Sequence, residues 1–443
     1  MSGLFDMMRL FYHRRFFSED QIKQYQFKQI QALVSLSVSK APYYQSTFKD
    51  YELTSLADFS RFPLMDKRIL MEHFDTTNTV GLHKDEVSAY ALKKEADKDY
   101  LGYYQDQYVV GLSSGTSGNK GLYITDKAMT QKLPFVFLAR SGLPLRCLPY
   151  RILFCLRVFS QGFDDINSPL IKLHYASTMT EVSTLIEKIN SERINILMAP
   201  PSLVRLLLSH SDQIEVKLKR IVCYAEVLEK EEKLRFEKVF KTKVIEIYQA
   251  SEGQMASACR YGNLHINEDL VYVELLDELN QTVSVTSLPS SMVITNLVNQ
   301  VQPLIRYRMN DLIVLKRDCP CGSHFRVIDH IVGRQDDVLV FINRKGKNQT
   351  VFPDLMSRWI ITSTEAIREF RVRLINQTHL VIEFECFDPS DEMIQVCKDI
   401  LSKRMQLELN AWDINCTIEL VHTKILLGLD KHKMKRFITL DEN

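Results

Sequence analysis

The spacing of apolar and polar positions changes character along the chain. Over the first 75 residues the two kinds interleave at helical intervals, as in EDQIKQYQFKQIQALVSLSVSKA, a run that Pro42 closes. In FPLMDKRILMEHF, Asp66 stands where an N-cap belongs, ahead of another short helix. From about residue 108 the pattern becomes strand-like. YVVGLSSG predicts a strand entering a glycine loop, RILFCLRVF (151–159) a buried strand, and TEVSTLIEKINSERI an amphipathic helix followed by the apolar run NILMAPP. RIVCYAEV (220–227) predicts a strand, LEKEEKLRFEKVF a helix, and KVIEIYQASEG a strand ending in a loop. Such alternation defines βαβ units and an α/β fold.

Beyond residue 265 the pattern turns β-rich: HINEDLVYVELLDE, SMVITNL and IRYRMNDLIVLKR each predict a strand. After VGRQDDVLVF, a block of roughly a hundred residues carries two helices and the strands EFRVRLI, LVIEFECF and NCTIELVH, enough for a small α+β domain. The expectation is a large N-terminal α/β domain with a β-rich portion, residues 1–334, and a small C-terminal α+β domain, residues 335–443. A chain of 443 residues exceeds what one core supports, in keeping with that division.

Composition narrows the function. With 56 basic and 55 acidic residues the net charge is +1, so no global field draws the protein to nucleic acid. No apolar run reaches the ~18 residues of a membrane span. MSGLFDMMRLFYHRRFF is apolar and basic, but Asp6, Arg9 and His13-Arg14-Arg15 interrupt any signal-peptide core; it predicts a first helix packed on the body, the alternative being a segment lying on a membrane surface. Nine scattered cysteines do not make a disulfide framework and suit a reducing cytoplasm.

The stretch GLSSGTSGNKG (111–121) is the sharpest chemical signal. Successive free N–H groups after a strand form an anion nest, and phosphate is its usual guest. Ser113, Ser114, Thr116 and Ser117 add hydroxyl donors, Gly115 and Gly118 keep the backbone open, and Lys120 adds a charge. The plain alternative is a Ser/Gly surface turn. Neither the Walker spacing nor Gly-x-Gly-x-x-Gly is present, which leaves a nucleotide loop outside both classes.

SSGTSGNKG resembles the signature loop of the adenylate-forming superfamily, whose members activate carboxylates as acyl-AMP, and is most similar to the phenylacetate–CoA ligase branch. RIVCYAEVL resembles the segment that lies along adenine, VIEIYQASEG the Tyr-Gly-x-Thr/Ser-Glu motif, LIRYRMNDL the Arg-Tyr-Arg-Thr-x-Asp motif, and VGRQDDVL the Gly-Arg-x-Asp-Asp hinge. FPLMDKRIL and HINEDLVYVE match further stretches of that branch. The Tyr-Gln-Ala-Ser-Glu-Gly variant is similar to adenylate-forming enzymes related to deazaflavin-coenzyme synthetase.

The resemblance implies ATP and Mg²⁺, a carboxylic acid, a thiol acceptor (CoA or a carrier's phosphopantetheine), a homodimer, and a C-terminal domain that moves. It implies β/γ-phosphate contacts from the glycine loop, Mg²⁺ ligation by Glu252, and nucleotide contacts from Ala225, Glu226, Tyr248, Gln249, Ser251 and Arg334. It further implies that Asp311 holds the ribose hydroxyls, that Asp336 is the hinge, and that Lys433 bridges the carboxylate and the α-phosphate. Lys431 and Lys435 are rival placements for that lysine. Because the reaction joins two anions, positioning and charge neutralisation must supply most of the catalysis. The plain readings are a solvated Glu252, a core Tyr248, and Asp311 salt-bridged to Arg306 or Arg308. Three departures stand out: Asn119 where the superfamily has proline, His432 where it has glycine, and Gln249 where many members have glycine. The last argues against phenylacetate as the substrate.

Cys319 and Cys321 form a C-P-C-G knuckle, and Cys259 and His265 lie in ACRYGNLH. Four such ligands make a closed structural zinc site, with His324 as an alternative to His265; similarity to the branch at these positions supports the set. The plain alternative is separate buried thiols and a surface histidine, and the other cysteines sit in apolar runs. The expected activity is an acid–thiol ligase. The alternatives are an adenylyltransferase acting on a hydroxyl of an aromatic molecule, and a nucleotide-binding protein without turnover.

Overall fold

The computed structural model describes residues 2–97, 101–112, 121–156, 161–277, 280–283, 288–425 and 435–439. Helices α1 (Ser2–Phe16) and α2 (Glu19–Lys40) form where the periodicity predicts them. Between them Ser18 and Gln21 make a capping box: Gln21 N donates to Ser18 Oγ at 3.3 Å, and Ser18 N donates to Gln21 Oε1 at 2.9 Å. Asp66 caps the helix Lys67–Glu72, accepting from Ile69 N at 2.7 Å. Strands β1 (Tyr108–Leu112) and β2 (Leu122–Asp126) pair as an antiparallel hairpin on either side of the glycine loop.

One twelve-stranded sheet carries the large unit. Its parallel half contains, side by side, β4 (Ile171–Ser177), β3 (Tyr150–Leu156), β5 (Ile196–Ala199), β6 (Arg220–Cys223) and β7 (Val244–Ala250). Buried clusters cover both faces of this half, which is why β5 reads ILMA without alternation. The antiparallel half continues through β8 (Gly253–Ala258), β9 (Leu264–Ile266), β14 (Val327–Arg334), β13 (Tyr307–Lys316), β12 (Ser290–Asn296), β10 (Val271–Leu276) and β11 (Thr282–Val283). Helix α2 buries Ile30, Leu33 and Val34 in the core under this half. Parallel pairing gives way to antiparallel at β7–β8, and the turn between them lies at the carboxyl ends of the parallel strands, the edge at which ligands of open α/β sheets gather.

Several elements differ from the sequence expectation. β6 stops at Cys223 because Ala225 turns the chain with φ +66°. KVIEIYQASEG is not a strand running into an open loop, because β8 follows β7 after a turn of two residues, Ser251 and Glu252. HINEDLVYVELLDE is two strands: Leu270 N and Val271 N both donate to Asn267 O, making a turn between β9 and β10. NILMAPP continues directly into a helix, Pro201–Leu208, which its second proline opens.

The C-terminal block has its own core around Phe341, Trp359, Phe370, Phe384 and Leu401. Its elements are the hairpin β15 (Leu339–Ile342)/β16 (Asn348–Val351), a helix Pro353–Ile361, β17 (Ile367–Asn376), β18 (His379–Cys386), a helix Asp391–Ala411, β19 (Thr417–His422) and β20 (Phe437–Ile438). The expected helices and three longer strands are present. The hairpin and β20 were not anticipated, being too short to show a period. At the junction Gly333 has φ +132°, and a Cβ there would come within 2.9 Å of Pro353, so only glycine fits this close approach.

Candidate active site

Glu252 occupies the β7–β8 turn. Its Oε1 accepts a 2.7 Å hydrogen bond from the Tyr123 hydroxyl, which also lies 3.2 Å from the Tyr307 hydroxyl. Tyr123 belongs to β2, so the strand leaving the glycine loop begins beside this carboxylate. Burial raises the Glu252 pKa, with the Tyr123 hydrogen bond acting the other way and Asp311 adding to the rise. A desolvated carboxylate of this kind gains from a cation as it gains from a proton.

Three polar residues that the sequence reading missed hold the turn and β2 together. Asn296 Nδ2 donates to Glu252 O at 2.8 Å. Asn299 Nδ2 donates to Ile124 O at 2.8 Å, and Gln302 brackets β2 with bonds to Ile124 N and Leu122 O at 3.0 Å each. All three are buried. Their signal was in the sequence: amide side chains every third residue through the apolar segment TNLVNQVQP.

Tyr248 donates its hydroxyl to Asp311 Oδ2 at 2.6 Å, and Arg334 is the cross-strand partner of Asp311. Burial pushes the Tyr248 phenol well up, and Asp311 and Glu252 push it further. Neither rival arginine pairs with Asp311 among the described residues: Arg306 forks onto Glu274 at 3.0 Å, and Arg308 reaches Asn280. Tyr248, Glu252, Asp311 and Arg334 thus converge at the β7–β8 seam. Lys67, at the start of its helix, feels both Glu252 and Arg334; burial, the largest influence, lowers its pKa. A bulge after Tyr248 leaves Gln249 exposed, and Ser251 is exposed in the turn. Ser113, Ser114, Gly115, Thr116, Ser117, Gly118 and Lys120 lie outside the described residues, as do Lys431 and Lys433.

Ala225 and Glu226 follow β6. The Glu226 carboxylate accepts from Ser202 N at 3.1 Å and Ser202 Oγ at 2.8 Å, and lies 3.6 Å from Arg436. Arg436 forks onto Glu369 at 3.0 and 3.1 Å, and Glu369 also receives Arg205 Nη1 at 3.1 Å. Arg205 Nε donates to Glu232 at 2.5 Å. Burial alone would raise the Glu369 pKa, but Arg436 and Arg205 outweigh it and hold the carboxyl below its usual range. This chain of charges joins the large unit to the C-terminal block. At the predicted hinge, Asn310 Nδ2 donates to Asp336 at 2.6 Å, and Lys435 lies 3.7 Å from Asp337.

A second contact between the two units is acidic. Glu229 lies 3.8 Å from Arg358 on the helix Pro353–Ile361, where Asp354 also approaches Arg358 at 3.8 Å and His330 at 3.7 Å. Burial, opposed by Arg358, carries the Glu229 pKa to about 8. A carboxyl raised above its usual ~4.3 binds its proton more tightly docked than exposed, so docking is strongest below that pH and weakens up to about pH 8. Protease cleavage at residues 335–338 should therefore increase between about pH 6 and pH 8.5. In Glu229→Gln the increase should vanish; an unchanged profile would remove Glu229 from the explanation.

Cys259, His265, Cys319 and Cys321 bring four ligand atoms within 4.8 Å of one another. Cys259 Sγ lies 3.6 Å from Cys319 Sγ, and Cys321 Sγ 3.4 Å from His265 Nε2. These separations suit ligands about 2.0–2.3 Å from one tetrahedral ion. His265 Nδ1 is 2.8 Å from Phe325 O, which fixes the ring with Nε2 turned to the thiols. Tyr261 N and Ser323 N each point at a sulfur at 3.4 Å, and Asn263 Nδ2 at 3.1 Å. His324 is not part of this set. Cys147, Cys155, Cys223, Cys386 and Cys397 are buried as expected; Cys416 is only partly so.

Sheet, seam and C-terminal block together are the fold of the adenylate-forming ligases, large unit and small unit alike. Among solved structures, 2-hydroxyisobutyryl-CoA ligase in the postadenylation state, in complex with R3-HIB-AMP, matches with a TM-score of 0.72 and 16% identity, over 97% of this chain and 91% of that one. The same ligase in an open conformation with 2-HIB-AMP and CoA matches with a TM-score of 0.60 and 17% identity, over 97% and 93%. In sequence, the chain is similar to phenylacetate-coenzyme A ligase of Pseudomonas putida, 22% identical over 401 residues, 83% of this chain and 84% of that protein. No family model matches the sequence.

Proposed function

We propose that the protein activates a carboxylic acid with ATP as an acyl-adenylate, releasing pyrophosphate, and then transfers the acyl group to a thiol, of CoA or a carrier's phosphopantetheine. The observation that carries this reading is the convergence of Glu252, Tyr248, Asp311 and Arg334 at the seam of an adenylate-forming fold. In this reading Asp311, held by Tyr248, keeps one carboxylate oxygen for the ribose hydroxyls. Arg334 neutralises phosphate charge, and the backbone of Ala225 and Glu226 flanks adenine. Glu252 would hold Mg²⁺, which when bound screens the phosphates from the incoming carboxylate. The glycine loop, which leads into the strand β2 held by Gln302 and Asn299, would cradle the β/γ phosphates.

Residues 335–443 act as a lid that turns about Asp336 between the two half-reactions. Arg436, clamped between Glu369 and Glu226, would bring the preceding lysines to the nucleotide, with Lys433 as the adenylating one. The greater overlap with the postadenylation structure supports that arrangement of the lid. The exposed Gln249 beside the seam favours an acid other than phenylacetate.

We further propose that Cys259, His265, Cys319 and Cys321 hold one structural zinc ion. With four protein ligands it would keep no open position for chemistry. Elemental analysis should find one zinc per chain, and Cys321→Ser should abolish it. The melting temperature should fall by on the order of 10 °C, with turnover of the folded fraction kept. A metal-free protein of unchanged melting temperature would refute the site.

Screening pyrophosphate release over a library of carboxylic acids tests the activity. Release dependent on an acid supports the ligase. Release only with hydroxylated aromatics would identify an adenylyltransferase instead, and ATP binding without release a nucleotide-binding protein.

A further inference from the structure

A cavity of about 450 Å³ lies where the C-terminal block rests on the large unit, and none of the four seam residues lines it. Arg205 and Leu208 reach it from the helix Pro201–Leu208, one turn apart. Glu232, Arg235 and Phe236 reach it from one face of the helix Lys230–Phe240. The opposite wall is residues 361–365, which connect the helix Pro353–Ile361 to β17, together with Arg368 of β17. The space is therefore complete only while the two units are docked.

Docking buries polar atoms here and leaves some of them unmatched. Arg205 and Glu232 are each 4% exposed. Arg205 uses Nε on Glu232 and Nη1 on Glu369, yet its Nη2 has no hydrogen-bond partner among the described residues. Nor has Oε2 of Glu232, or Nε of Arg368, whose Nη1 goes to Glu385. Buried donors and acceptors are costly to leave unmade, so a cluster of three calls for an occupant. A single water, at ~30 Å³, is far too small to fill the space, which falls within the size range of small-molecule sites.

The charges around the cavity select the kind of ligand. Arg205, Arg235 and Arg368 line it together with Glu231, Glu232 and Glu365. A simple anion such as phosphate meets as much repulsion as attraction in that setting, and so does a simple cation. A zwitterion suits both signs. Leu208 and Phe236 add an apolar wall against which a hydrocarbon side chain can lie. We propose that this cavity binds a free α-amino acid with an apolar side chain, its carboxylate drawn to Arg205 and Arg368 and its ammonium to Glu232. Because the walls come from both units, the bound amino acid favours the docked lid and regulates its movement. Its effect on turnover rests on the lid movement of the ligase reading; binding and docking do not.

The test is calorimetry of the full chain with leucine, read beside protease cleavage at residues 335–338. A ligand of this size supports a Kd on the order of 1 mM. Leucinamide, which lacks the carboxylate, should bind at least ~10-fold more weakly. At about 10 mM leucine the junction should be cleaved about 10-fold more slowly. Ser363→Trp, which fills the cavity, should abolish both effects, while Glu252→Gln at the seam should keep them. That pair separates the cavity from leucine taken as the acid substrate. If Ser363→Trp impairs folding, Thr362→Trp, at an exposed position on the same wall, serves in its place. Absence of binding overturns the proposal and leaves the cavity to water. Binding that survives the cavity-filling variant, or that leaves the cleavage rate unchanged, overturns it as well.

Discussion

Glu252→Gln should lower acid-dependent pyrophosphate release by on the order of 10²–10³-fold, the usual cost of losing one oriented charge at a transferring phosphoryl group. Stability should move the other way or not at all. The amide keeps the shape of the side chain and can still accept from the Tyr123 hydroxyl, and it removes a carboxylate that burial already disfavours as an anion. Opposite responses in rate and melting temperature distinguish a functional acid from a structural one. A variant that retains turnover would return Glu252 to the status of an ordinary turn residue. Circular dichroism melting and a coupled pyrophosphate assay on the same preparation make the comparison.

Glu369→Ala should have the second large effect, on the lid rather than on the chemistry. The substitution leaves the Arg205 and Arg436 guanidiniums buried near each other with the carboxylate they share gone. Breaking a buried ion network by removing one partner costs about 3–5 kcal/mol, or roughly 10²- to 5 × 10³-fold in the docking equilibrium. Cleavage at the 335–338 junction should accelerate accordingly, and adenylation should fall because the lysines before Arg436 lose their anchor. ATP binding to the large unit should persist. If lid and body stay docked in this variant, the charges are incidental and packing alone holds them.

The broad fold was legible because its signals are periodic. Long helices such as α2 and doubly buried strands such as β5 declare themselves in a window of a few residues. What escaped were features set by single positions. The early end of β6 depends on one left-handed residue, Ala225, which no propensity favours there. β20 has two residues and exists only because β17 offers it an edge.

At the site, the residues with distinctive chemistry were legible from motif order, and the structure brings Tyr248, Glu252, Asp311 and Arg334 together. The supporting residues were not. Tyr123 and Tyr307 were not singled out in the sequence, yet their hydroxyls meet beside Glu252. Asn296, Asn299 and Gln302 act through backbone contacts to segments more than forty residues away, and such pairing is invisible in a linear pattern. Glu226 is a comparable case. The sequence marked it as nucleotide-adjacent, while its side chain ties Ser202 to Arg436.

The most direct test of the account follows oxygen. An acid that supports turnover is supplied with its carboxylate oxygens as ¹⁸O, together with ATP and a thiol, and the AMP is analysed by mass spectrometry. If a carboxylate oxygen attacks the α-phosphorus and the thiol later breaks the acyl carbon–oxygen bond, each AMP released leaves with one heavy oxygen. AMP that emerges unlabelled while the acid is consumed would contradict the acyl-adenylate, and with it the assignment of this seam.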